Sequence, residues 1–95
     1  MENEKRQQFD KSFKTELAGK PWTICPTGDM PDMDGICCHD EDMIQIVALA
    51  DEDTFLETAI HEALHAEFPW MKEFAVHNAA GELQIYLKKL GFRKP

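Results

Sequence analysis

From Thr54 to Leu90 the residues are patterned for helix almost without interruption, yet Pro69 forbids one continuous helix. A proline has no amide hydrogen to donate, and its ring drives the preceding residue out of the α region. The stretch must therefore fold as two helices joined by a corner at Phe68-Pro69-Trp70. The first is predicted over about residues 54–67. Asp51 and Asp53 offer N-caps for it, and Thr54 with Glu57 has the spacing of a capping box. Its apolar side reads Phe55, Leu56, Ala59, Ile60 and Ala63. The second helix is predicted from about Met71 to Leu90, with Gly91 placed to end it. Its apolar stripe is Val76, Ala80, Leu83, Leu87 and Leu90.

Upstream, Met43–Leu49 (MIQIVAL) is the clearest strand, β-branched and bounded by acidic turn residues. Lys20–Cys25 is short and β-prone around Trp22 and Ile24. Residues 26–42 are rich in Asp, Gly and Pro and read as a long loop, with GICC at 35–38 as a short strand inside it. Over residues 2–18, Phe9, Phe13 and Leu17 recur every fourth residue before Gly19, which predicts a helix. The expected fold class is α+β: a small sheet followed by two consecutive helices in a single domain, 1–95. Residues 1–19 form a polar N-terminal segment, and residues 43–93 form the core that carries the chemistry.

Composition removes several classes of function. A chain of 95 residues closes one small core, and at 43% hydrophobic it is too apolar to stay disordered. Its net charge of -8 argues against nucleic-acid binding, which needs clustered Lys and Arg. No leader-like run and no long apolar segment is present, so a soluble, cytoplasmic protein without membrane contact is expected. Three cysteines, two of them adjacent, argue against a disulfide framework. The oligomeric state, monomer or dimer, is left open.

The residues with chemical content lie in HEALH, residues 61–65. Side chains four apart share a helix face, so His61 and His65 can offer two imidazole nitrogens to one ion. Glu62 is rotated by about 100° and stands beside that ion, where a general base for an attacking water belongs. A solvated polar face would also carry two histidines. Two His at this spacing with Glu second, in a chain with four His, favour zinc.

A catalytic zinc commonly takes three protein ligands. The extended pattern HExxHxxGxxH is excluded, because Phe68 and Met71 stand where its glycine and third histidine would be. The third ligand then comes from the second helix: Glu73, His77 or, more remotely, Glu82. Glu73 is favoured because it extends the apolar stripe by one step, and a carboxylate directed toward a core needs a cation. His77 is the alternative ligand, or a group that steadies Glu73 or polarises a substrate carbonyl. His39 and Tyr86 are further candidate donors for that last role.

Two other patterns are weaker. Asp32, Asp34, Gly35 and Glu41 fit parts of a calcium loop, but Met30 occupies its first ligand position. Cys25, Cys37, Cys38 and His39 lack the paired CxxC knuckles of a structural zinc site.

MIQIVAL, ETAIHEALHAEFPW, KEFAV and LKKLGFR, within residues 43–93, together resemble the short zincin-like metallopeptidases encoded by tailed bacteriophages and prophages. A looser likeness extends to DGIC, residues 34–37. The resemblance implies a minimal zincin-like fold, zinc as cofactor, a peptide or protein substrate and a location in the bacterial host cytoplasm. It assigns His61 and His65 as ligands, Glu62 as catalytic residue and Glu73, after the proline corner, as third ligand. In zincin-type folds the strand before the signature helix borders the cleft, which would offer the edge of MIQIVAL to an extended peptide. Two alternatives stand beside hydrolysis. One is an interaction or structural protein in which zinc only stabilises a small fold. The other is a metal-free adaptor that docks a partner on the Phe68–Trp70 corner.

Overall fold

A computed structural model describes residues 9–94 and gives the elements β1 (Phe13–Leu17), β2 (Lys20–Thr27), β3 (Gly35–Cys38), β4 (Met43–Val47), α1 (Glu52–Glu67) and α2 (Glu73–Leu90). The protein is α+β: one four-stranded sheet followed by two helices. No helix among the described residues is long and apolar enough to cross a membrane.

The N-terminal helix expected over residues 2–18 is not formed where it is described. Residues 13–17 are strand β1, and residues 2–8 lie outside the described residues. A four-residue spacing is compatible with both the helical repeat and twice the strand repeat, so Phe13 and Leu17 share a strand face equally well. The turn decides it. Ala18 and Gly19 both take positive φ, 53° and 79°, and connect Leu17 to its partner Lys20 as a two-residue hairpin.

The strand order is β1-β2-β4-β3. β4 runs parallel to β2 and antiparallel to β3, so it lies inside the sheet with both edges paired. The expectation that MIQIVAL offers its edge to a peptide is therefore corrected: the edge strands are β1 and β3. Period-two alternation in β2 and β4 puts Trp22, Ile24, Ile44 and Ile46 on one face, buried beneath Phe55 and Ala66 of α1. Each such aliphatic or aromatic side chain stabilises the fold by roughly 1.5–3 kcal/mol relative to exposure.

Helix α1 begins two residues earlier than predicted. Asp51 is its N-cap and accepts hydrogen bonds from both the backbone N–H and the hydroxyl of Thr54, so the Thr54–Glu57 capping box is not used. The helix lies between the sheet and α2 and buries two sides. Its buried residues are Phe55, Thr58, Glu62 and Ala66, a stripe different from the purely apolar one expected.

Helix α2 starts at Glu73 and ends at Gly91, whose left-handed φ of 103° no side-chain-bearing residue adopts cheaply. Among the described elements it packs against α1 alone. Val76 and Ala80 are fully buried in that contact. Lys88 pairs with Asp53 and Glu52, tying the end of α2 to the start of α1. Leu83 and Leu90, expected on the core-facing stripe, are exposed instead. A strict 4-3 repeat drifts around a straight helix, so its later members turn away from α1.

Candidate metal centre

The site is assembled from one turn of α1, the proline corner and the first residue of α2. His61 and His65 stack along α1 with ring centroids 4.9 Å apart. The chain then leaves the helix through Phe68, whose N–H donates to the Leu64 carbonyl, and reverses as the Met71 N–H donates to Phe68. That reversal sets Glu73 opposite both imidazoles. Its Oε2 lies 3.0 Å from His61 Nε2 and its Oε1 2.9 Å from His65 Nε2. One ligand atom from each of the three residues falls within 4.8 Å of the others.

This donor set fits zinc. Tetrahedral ligands about 2.0–2.1 Å from an ion stand roughly 3.4 Å apart, close to the separations seen here. Two imidazoles and a carboxylate also match the ion's preference in ligand type. Among the described residues this is the one group of three potential ligands so arranged. Glu73 was expected near the core-facing stripe, but its side chain is 68% exposed. Its direction is set by the two histidines and by its place at the positive end of the α2 dipole, not by burial. His77, one turn further, is exposed, with its ring 6.4 Å from that of His61 and outside the three-ligand group. Glu82 lies about 13 Å further along α2 than Glu73, at the usual helical rise.

Glu62, beside His61 on α1, packs into the seam against β3 and is only 8% exposed. The seam is tight because Gly35 allows it. A Cβ on Gly35 would come within 2.6 Å of Thr58 Cγ2, 2.9 Å of the Gln45 carbonyl and 3.4 Å of Glu62 Cγ. Burial pushes the Glu62 carboxyl above its ordinary value, the nearby imidazoles of His61 and His65 oppose that, and Glu73 adds to it. A carboxylate so placed is a stronger base than a solvated one.

These groups line one open cleft of about 770 Å³ between β3, α1 and the start of α2. Asp32, Asp34 and Glu57 also line it, and no lysine or arginine does, so its field favours a cation.

The other candidates separate on position. His39 Nε2 lies 3.0 Å from the His65 carbonyl, and its ring stands edge-on to Trp22. It is engaged in bracing the end of α1, a role invisible in sequence because its partner is 26 residues away. Tyr86 is outside the cleft, whereas His39 and His77 both line it. Cys25, Cys37 and Cys38 are free thiols. Burial, with the charge of Glu62 second, pushes the Cys37 thiol up to about 11, which leaves it protonated near neutrality and a poor nucleophile. Compared with known proteins, the chain matches no family model, no curated protein and no solved structure.

Proposed function

We propose that the protein is a zinc-dependent hydrolase of peptide or amide bonds, akin to the short zincin-like metallopeptidases. His61, His65 and Glu73 would hold the ion. The carrying observation is the Glu73 carboxylate straddling both imidazoles across the proline corner, 3.0 and 2.9 Å away. Bound there, zinc would supply Lewis acidity toward a carbonyl oxygen and a lowered pKa for water.

The remaining chemistry belongs to the chain. Glu62, raised in basicity by burial, takes a proton from the water that attacks the carbonyl carbon. It returns that proton to the leaving nitrogen as the C–N bond breaks. His77 lines the cleft close enough to His61 to donate to the carbonyl oxygen as charge develops there. The free edge of β3, which borders the same cleft, offers backbone groups to an extended peptide.

One observation favours a second function, a purely structural zinc. α2 packs on α1 alone, and an ion shared by His61, His65 and Glu73 would staple the two helices. Metal content and Glu62→Gln separate the cases. Tag-free protein supplied with zinc is expected to hold one ion per chain and to lose it in His61→Ala. Glu62→Gln is expected to keep the ion and abolish cleavage of a peptide library. A parent chain that binds no zinc removes both zinc-based functions and turns attention to the exposed Phe68–Trp70 corner. Unaltered peptide cleavage in Glu62→Gln would remove the hydrolytic mechanism alone.

A further inference from the structure

The outer flank of α2 carries apolar side chains that no described element covers. Leu83, Tyr86 and Leu90 are 40%, 58% and 59% exposed. With the half-buried Ala79 they recur at 79, 83, 86 and 90, the four-three spacing of a helix seam built for another helix. At 100° per residue, these four lie about 60–120° to one side of Ala80, the centre of the α1-facing line. The seam is therefore distinct from the contact already made. It is small at one end and large along the rest: Ala79 and Leu90 sit at its ends, Leu83 and Tyr86 in its middle.

The flanking charges identify the occupant. Glu82 and Lys89 border the seam on its solvent side, seven residues apart, and among the described residues neither has an ion-pair partner. In an antiparallel helix pair, like flank faces like flank. Two copies of α2 would then bring Glu82 of each against Lys89 of the other. The same register sets Ala79 against Leu90 and Leu83 against Tyr86, small against large and large against large. A parallel pair would instead place Glu82 and Lys89 against the opposite flank, whose residues Ala80 and Leu87 face α1.

We propose that the chain forms a symmetric dimer through this face, with the two α2 helices antiparallel. The seam is self-complementary in both shape and charge, as a two-fold interface requires. The dimer would also clasp α2, the helix that presents Glu73, from the side α1 leaves open.

Sedimentation equilibrium of the full chain, across a dilution series, tests this. The parent is expected to sediment as a dimer that dissociates on dilution. Tyr86→Glu, a change at an exposed position, is expected to leave a folded monomer by circular dichroism. Glu82→Lys and Lys89→Glu are each expected to weaken association on the order of tenfold, by setting like charges against each other. The double reversal, Glu82→Lys with Lys89→Glu, is expected to restore it. A parent that is monomeric at every concentration overturns the proposal and leaves the face to a different protein. A dimer that survives Tyr86→Glu, or a double reversal that recovers nothing, overturns it as well.

Discussion

Glu62 and Glu73 are carboxylates on neighbouring helices with opposite surroundings. Glu73 is open to solvent and poised between two imidazoles, whereas Glu62 is pressed into the β3 seam. That difference suits the first to charge balance with a cation and the second to proton transfer. If Glu73 is the third ligand, Glu73→Gln is expected to lower zinc affinity by about 100-fold or more, and His77→Ala by no more than about threefold. Competition with a chromophoric chelator measures both. The reverse order would assign the ligand to His77. His61, Glu62 and His65 were legible as a unit in the sequence because their relation is fixed within one helical turn. The burial of Glu62 was not legible. It depends on a glycine 27 positions upstream, in a strand whose neighbour is set by the whole sheet.

At the level of elements, the joint between β3 and α1 governs the cleft. Gly35 is required there for close approach and not for its φ. Gly35→Ala is expected to destabilise the protein by about 1–3 kcal/mol in urea unfolding, because Thr58 or the Gln45 backbone must move. Gly28→Ala, where an added Cβ meets nothing within 4 Å, is expected to stay within about 0.5 kcal/mol. Equal costs would mean that the seam yields without penalty. Five elements were readable beforehand: the two helices with their corner, the MIQIVAL and GICC strands, and the β-prone Lys20–Cys25 segment, which forms most of β2. Each is declared by local chemistry, such as a proline, a glycine stop or a β-branched run. The first strand was misread because spacing alone does not separate the two periodicities, and the Ala18-Gly19 turn that decides it carries only half of the favoured sequence signal. Strand order was illegible for another reason. Nothing local says that β4 will pair on both sides and β3 on one.

For the molecule as a whole, α1 is the common support: the sheet packs on one side of it and α2 on another. On the proposed function, a ligand set shared between α1 and α2 would couple metal binding to global stability. Zinc at about 100 times its dissociation constant is expected to stabilise the chain by roughly 2.7 kcal/mol, and His61→Ala to lose that gain. Thermal unfolding with and without chelator reads it, and a midpoint indifferent to zinc would mean that α2 docks without help. The corner at Phe68–Met71 has a consequence for the order in which the protein is assembled. His61, His65 and Glu73 all lie within a short helical hairpin, whose contacts close over small sequence distances, while the sheet must join strands far apart along the chain. Local structure forms first. On the proposed function, a newly made chain would capture its ion before α1 had docked on β3, with Glu62 still solvated. Loading would precede competence, and no half-folded chain would be able to cut its neighbours.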